Sequence, residues 1–403
     1  MPIHPDVLIV GSGHAGAQVA IALRQRGFPG TIGLTGEDPN PPYERPPLSK
    51  DYLSGTRPFE RMLLRPPSFW TDRDIAVSAG MRAVRVDPDA RAVVFDDATT
   101  MDYGTLVWAT GGRARRLDCA GHDLVGVHSV RTRADVDRLL AELPEVRTVV
   151  IVGGGFIGME AAAVLSKFGK AVTLLEAQDR LLARVCGNEI ATFYAAEHRA
   201  HGIDIRTGAS VTRLVATGNH VSAVELEDGE TIAADMVIVG IGIVPSVGPL
   251  RDAGASCDAA AIVDGMGRTS LPDIYAIGDC ATRASAYARI ERMRIESVQN
   301  ASVMAQATAA DIMGVTPDAE PVPWFWSNQF DLKLQTAGIN IGYDRTLVSG
   351  DPASRSFAVA YLDGEQLLAV DCVNAPKSFV QAKKILAEGG TIDPTQHGYR
   401  FPA

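Results

Sequence analysis

Two glycine clusters, each followed by an acid, are the residues of this chain best placed to do chemistry. In the stretch IVGGGFIGMEAAAVLSKFGKAVTLLE (151–176) an apolar strand, 148–152, breaks into Gly153-Gly154-Gly155-Phe156-Ile157-Gly158. A helical pattern then leads to a second strand, 171–175, which ends at Glu176. Strand, glycine turn, helix, strand and acid together make the unit that holds a dinucleotide. Gly153 permits the tight turn. Gly155 lets the backbone N–H groups around Phe156 and Ile157 approach a pyrophosphate, where orphan donors and the helix dipole favour an anion. Gly158 and Ala162 keep one helix face small for close packing on the sheet, and Glu176 can accept hydrogen bonds from ribose hydroxyls. A second copy lies at the start of the chain. Residues 7–10 lead into Gly11-Ser12-Gly13-His14-Ala15-Gly16, a helix with Ala20 in the small position, a strand at 31–35, and Glu37. Two such units in one chain imply two dinucleotides and the transfer of a hydride between them.

The elements that must position these residues define the expected architecture. The reading is α/β: two Rossmann-like dinucleotide-binding domains plus a small α+β C-terminal domain. Residues 1–111 and 243–320 form the discontinuous first domain, 112–242 the second, and 321–403 the third. The 403 residues allow two or three domains. With 46% hydrophobic and 21% charged residues the composition is that of a globular protein. The formal charge of −10 argues against a nucleic-acid partner. No basic segment with a cleavage site opens the chain, and no apolar run is long enough to span a membrane, so a cytoplasmic protein is expected. The cysteines (Cys119, Cys186, Cys257, Cys280, Cys372) form no CxxC or CxxxxC pair and read as reduced thiols; no metal site is expected.

Downstream of the first unit comes the proline-rich run Pro41-Pro42-Tyr43-Glu44-Arg45-Pro46-Pro47-Leu48-Ser49-Lys50. Proline fixes φ and removes donors, so this is a stiff segment that is neither central strand nor helix interior. It is either a rigid surface loop or a presenter of Arg45 and Lys50 to a phosphate or a flavin ring. PYERPPLSK after GxGxxG resembles the FAD-dependent ferredoxin reductases of bacterial oxygenase systems, relatives of putidaredoxin reductase built on the glutathione-reductase plan. Further motifs fit. The strand 105–108 entering Ala109-Thr110-Gly111 resembles the crossing between FAD and NAD domains, and Gly278-Asp279 resembles the second FAD fingerprint. Gly240-Ile241-Gly242 up to Pro245-Ser246 resembles the segment over the nicotinamide, with Ser246 for the usual Asn, and Trp324-Phe325-Trp326-Ser327-Asn328 resembles WFWSD.

The resemblance implies an FAD site of Gly11, Gly13, His14, Ala15, Gly16, Glu37, Arg45, Lys50, Ala83, Ala109, Thr110, Gly111, Arg131, Gly278, Asp279, Glu296, Ser297, Val298 and Trp326. The helix expected over 301–313 would turn its N-terminus to the pyrimidine end of the flavin. The NAD site would comprise Gly153, Gly155, Phe156, Ile157, Gly158, Glu160, Glu176, Gly240, Ile241 and Gly242. Lys50, Glu160 and Trp326 would stand at the reacting centre: Lys50 beside the flavin, Glu160 near the nicotinamide, Trp326 covering the ring. From position alone, Glu160 also reads as a first-turn acid that suits the helix dipole. Glu176 favours NADH, because its charge would repel a 2′-phosphate, while Arg180 and Arg184 lie close enough in sequence to receive one.

No cysteine occupies 42–50, where disulfide reductases of this plan carry a pair and peroxide-reducing relatives a single thiol. Hydride from NADH to FAD, then single electrons to an acidic, transiently docking [2Fe–2S] ferredoxin feeding a cytochrome P450 or Rieske oxygenase, is therefore the expected function, in a monomer or weak dimer. Rubredoxin reductase, an NADH:quinone-type oxidoreductase and a non-turnover flavin redox sensor are the alternatives. Residues 322–403 hold seven Lys/Arg and eight Asp/Glu, so most of the negative charge lies elsewhere. Lys333, Lys377, Lys383 and Lys384 are either a docking patch for the ferredoxin or a solvated face.

Overall fold

Val7–Val10 is an unbroken apolar run and Thr148–Val152 is apolar after its first residue, and each becomes the central strand of a five-stranded parallel sheet. A strand covered on both faces needs apolar residues at every position rather than alternate ones. The computed structural model describes residues 4–392. Its chain divides into two compact units.

The first unit comprises the residues up to Arg45, Phe59–Arg113 and Val244–Pro323. Its sheet runs Ile274–Ala276, Thr105–Trp108, Val7–Val10, Ile32–Gly36, Ile75–Ala79, all parallel. The helix His14–Gln25 packs on the helix Val298–Ile312, and a three-stranded antiparallel sheet follows from Ala83–Asp87. Val298–Ile312 begins ahead of the expected 301 because Ser297 accepts the Asn300 N–H, 3.0 Å, as an N-cap.

The second unit comprises Pro46–Pro58, Ala114–Ile243 and the chain from Trp324 onward. Its parallel sheet runs Asp204–Thr207, Ala171–Glu176, Thr148–Val152, Met236–Val239, Val127–Ser129. The proline-rich run does not stay a surface loop here. Pro46–Ser49 forms a 3-10 turn with Pro47, Leu48 and Ser49 buried, because Leu48 and Leu53 pull it into the core. The C-terminal sheet is antiparallel, ordered Trp324–Gln329, Leu332–Gly338, Gln366–Val373, Ser356–Asp363, Arg345–Asp351. Its covering helix, Pro376–Ala387, starts at a proline whose missing N–H would be unpaired in any case. Across this unit Phe193 meets Phe357 edge-on, ring centroids 4.9 Å apart.

A carboxylate sits inside the same packing. Asp371 is fully buried and accepts hydrogen bonds from Thr336 Oγ1 (2.5 Å) and Tyr361 Oη (2.6 Å). Tyr361 Oη in turn accepts the Gly187 N–H, 2.8 Å. Burial pushes Asp371 up to about 6, against the lowering by its hydrogen bonds from Thr336, Tyr361 and Cys186. A folded-state pKa above the unfolded one gives stability that is whole below the ordinary carboxylate range and is lost as pH rises through about 6. Between pH 5 and 7.5 this group is expected to remove about 1 to 2 kcal/mol. Urea unfolding at the two pH values checks it: Asp371→Asn should flatten the slope, and parallel slopes in the two proteins would contradict the assignment.

Candidate functional site

In the first unit three adjacent parallel strands end side by side and run directly into the expected site residues. Val7–Val10 enters Gly11, Thr105–Trp108 enters Ala109-Thr110-Gly111, and Ile274–Ala276 enters Ile277-Gly278-Asp279. From Val7–Val10 the sheet grows outward on one side through Ile32–Gly36 to Ile75–Ala79, and the chain then returns to the other side at Thr105–Trp108, so this end is a topological switch point. Backbone bonds fix the ends: Ala109 N–H to Val10 O (2.7 Å) and Ile277 N–H to Trp108 O (2.9 Å). Ser246 is held here too, its carbonyl accepting Trp108 Nε1 and Thr110 Oγ1, each at 2.9 Å.

The glycines differ in what surrounds them, and the difference shows where a ligand fits. Gly11 has φ +117°, and a Cβ there would fall 2.2 Å from Ala109 O. A Cβ on Gly16 would fall 1.8 Å from Gly11 O, so these two glycines are demanded by the fold itself. Gly13 is not: its nearest neighbour would be Arg45 Nε at 4.0 Å. Gly13 also caps His14–Gln25 with no side-chain bond, and no acid occupies the first turn. Open space, orphan N–H groups and a guanidinium across from them fit a pyrophosphate. Arg45 lies over the Tyr43 ring, 5.3 Å from its centroid, and 3.8 Å from Asp38. Gly278 (φ +76°) approaches Ala15 closely, a Cβ there falling 3.0 Å from Ala15 Cβ. Glu37 is exposed just past the strand end, Ala83 opens Ala83–Asp87, Glu296 pairs with Arg294 at 2.5 Å, and Val298 is the first helical residue after the Ser297 cap.

The second unit repeats this arrangement with unrelated neighbours. Gly153 (φ +112°) would place a Cβ 2.5 Å from Gly240 O, and Gly158 would place one 2.1 Å from Gly153 O. Around Gly155 nothing lies within 4 Å. Gly155 caps Phe156–Lys167 without a side-chain bond or first-turn acid. Glu176 turns onto the glycine loop: Oε2 accepts the Gly154 N–H (2.7 Å) and Oε1 the Gln178 N–H (2.8 Å). Gly240 packs against Gly158, and Gly242 takes φ +99° beside the Arg184 guanidinium, with Ile241 between them. Arg180 is drawn inward to the carbonyls of Cys186 (2.8 Å) and Ala183 (3.1 Å).

Glu160 is not in the first turn. The helix begins at Phe156, which puts Glu160 in its second turn and only 3% exposed, so an exposed dipole role does not describe it. Instead it gathers donors. Oε2 accepts Lys50 Nζ (2.7 Å) and Ser49 Oγ (2.5 Å), and Oε1 accepts Ser327 Oγ (2.5 Å). Lys50 also donates to Pro46 O, 3.0 Å. The structure thus joins two residues that the sequence suggested for separate tasks, and it adds two serines that the sequence did not single out. The one available signal was strand parity, which puts Ser327 on the face opposite Trp324 and Trp326. Those tryptophans stack at 5.4 Å, while Phe325, on the serine's face, meets Phe156 at 4.6 Å. Lys50, Arg131 and Trp326 all belong to the second unit, Arg131 in the turn between Val127–Ser129 and Arg133–Glu142.

Residues 5–305 match the pyridine nucleotide-disulphide oxidoreductase family, and 324–398 match the reductase C-terminal family. The chain belongs to the pyridine nucleotide-disulphide oxidoreductases. A ferredoxin–NAD(P)(+) reductase of Sphingomonas is 53% identical over 400 residues, covering 99% of this chain and 97% of the relative. The ferredoxin reductase subunit of a 5,5′-dehydrodivanillate O-demethylase from Sphingobium is 51% identical, covering 97% and 95%. Among solved structures, the covalent putidaredoxin reductase–putidaredoxin complex superposes with a TM-score of 0.94 at 38% identity, covering 98% of this chain and 96% of that one. The disulphide in the family's name has no counterpart here, since all five cysteines are free thiols. Cys280, beside Asp279, is pushed up to about 11 by burial and is inert at neutral pH. Among the described residues no helix is long and apolar enough to cross a membrane.

Proposed function

We propose that this protein is an FAD-dependent reductase that takes electrons from NADH and delivers them singly to a [2Fe–2S] ferredoxin serving an oxygenase. The observation that carries it is the pair of glycine turns, each with one glycine facing open space before a helix without a side-chain cap, in a chain more than half identical over nearly its whole length to two ferredoxin reductases. Residues 1–111 with 243–320 hold FAD, 112–242 hold the nicotinamide nucleotide, and 321–403 form the interface domain. FAD, when bound, supplies the exchange between two-electron and one-electron chemistry. The chain's residues bind and orient. Gly13, His14, Ala15 and Arg45 hold one pyrophosphate and Gly155, Phe156 and Ile157 the other. Gly240 to Gly242 and Glu160 position the nicotinamide, and the roles of Lys50, Arg131, Glu296 and Trp326 toward the flavin follow the resemblance. The protein acts in the cytoplasm as a monomer or weak dimer.

NADH rather than NADPH is supported by Glu176, whose carboxylate is fixed by Gly154 and Gln178, and by Arg180, whose guanidinium serves backbone carbonyls. A fixed negative charge beside the ribose repels a 2′-phosphate. NADPH is expected to give a kcat/KM at least roughly tenfold below that of NADH, with Glu176→Gln narrowing the ratio. The same assay tests the function: cytochrome c reduction by the purified protein should depend on added [2Fe–2S] ferredoxin. Turnover with quinone, oxygen or rubredoxin and none through ferredoxin would overturn it.

For the ferredoxin we propose the outer face of Pro376–Ala387. Lys377 and Lys384 are exposed there on either side of Val380, which is 65% exposed, while Lys383 lies over the Trp324 and Phe379 rings at 5.7 and 5.8 Å. Basic side chains around an apolar spot suit an acidic partner. A ferredoxin-dependent rate indifferent to salt and to reversal of Lys383 and Lys384 would dispose of this surface.

A further inference from the structure

Glu160 is nearly sealed from solvent, yet its two oxygens are served by different parts of the chain. Oε2 takes Ser49 and Lys50 from the proline-rich turn, and Oε1 takes Ser327 from the first strand of the C-terminal sheet. Ser327 is fully buried and has one proton. Gln329, two residues along on the same strand face and equally buried, donates its Nε2 to Ser327 Oγ at 3.1 Å. With a lone pair of the hydroxyl taken by the amide and a carboxylate able only to accept, the Ser327 proton points at Glu160 Oε1. Its direction is set by donor count, not by chance rotation.

We infer that Ser327, oriented by Gln329, is a positioning residue for Glu160, so that the C-terminal sheet fixes how this carboxylate meets the carboxamide end of the nicotinamide nucleotide. This rests on the proposed role of Glu160 at the nicotinamide. A carboxylate can turn about its terminal bond and present either oxygen. Donors on both oxygens hold it in one setting. Phe325 shares the strand face with Ser327 and Gln329 and stacks on Phe156, so one face of one strand sets both the ring at the helix mouth and the acid one turn inside.

The test uses the FAD-loaded full chain and follows NAD+ binding by direct titration, alongside kcat and KM for NADH read separately. Ser327→Ala should raise the Kd for NAD+ and the KM for NADH roughly tenfold, with a smaller change in kcat. Gln329→Leu should move the same readings in the same direction by less, and it serves if Ser327→Ala folds poorly. Ser327→Thr, which restores a hydroxyl, should recover most of the loss. In a Glu160→Gln background Ser327→Ala should add little, because its effect passes through that carboxylate. Additive effects of the two changes, or a Ser327→Ala protein with wild-type Kd and KM, would overturn the inference. If Glu160→Gln alone leaves NAD+ binding unchanged, it is the underlying placement of Glu160 that fails.

Discussion

Gly155→Val is expected to leave the fold undisturbed and to remove the use of NADH. The backbone there is extended and ordinary (φ −81°, ψ −179°), and no atom lies within 4 Å of the position a Cβ would take. Replacing a glycine restricts the unfolded chain, a gain of about 0.4–1 kcal/mol that roughly offsets the loss of a glycine N-cap. If the space serves a pyrophosphate, the isopropyl group fills it. A loss of roughly hundredfold or more in kcat/KM for NADH follows from lost contact with the helix N–H groups. Gly13→Val is the matching change in the first unit, where a Cβ would meet only Arg45 Nε at 4.0 Å. It should yield folded but colourless protein. Melting temperature, flavin absorbance and NADH kinetics together check both. A Gly155→Val protein with normal NADH kinetics would show that the open glycine turn is not where the nucleotide sits.

The second large effect is expected at Lys50. Its ammonium is 14% exposed and its partner Glu160 3% exposed, so the pair is held away from water. Removing one member of such a pair typically costs 3–5 kcal/mol, because the other charge stays behind. Here Ser49 and Ser327 still donate to the carboxylate, which brings the expected cost of Lys50→Met to about 2–3 kcal/mol. Glu160→Gln in the same chain removes the stranded charge and should return more than half of that loss. Urea unfolding of the FAD-loaded single and double variants gives the coupling directly. Strict additivity would mean the two groups do not act as a pair.

Much of the scaffold was legible because backbone demands restrict residue choice. Gly11, Gly16, Gly153 and Gly158 are positions where a side chain would strike a carbonyl, and the central strands are apolar, save Thr148 at one end, because both faces are covered. Proline marked 41–50 as irregular but said nothing of its burial. That depends on Leu48 and Leu53 finding a core formed by distant residues. Ser49 and Ser327 were invisible for a similar reason. A serine in sequence looks the same whether it meets water or a buried acid, and only tertiary packing brings positions 49, 160 and 327 together. The start of Val298–Ile312 was misplaced because the small residues after 300 outweighed the cap at Ser297. Glu160 was mis-set by counting its turn from Gly158 when the helix begins at Phe156.

The packing of the C-terminal sheet bears on how such proteins can be recombined. Tyr361 receives the Gly187 N–H, a Cβ at Gly187 would fall 2.6 Å from that ring, and Arg355 pairs with Glu197 at 3.0 Å. Thr346 donates to Glu189 from the same sheet. A chimera cut at residue 323 would therefore graft a foreign sheet onto the segment 186–197 without its matching partners, and seams drawn by sequence motif alone would leave buried polar groups stranded. Transplanting 186–197 together with everything after 323 keeps the two halves of that contact in register, and a working graft must also match Glu160 to Ser327, Phe156 to Phe325, and His198 and His201 to Phe330.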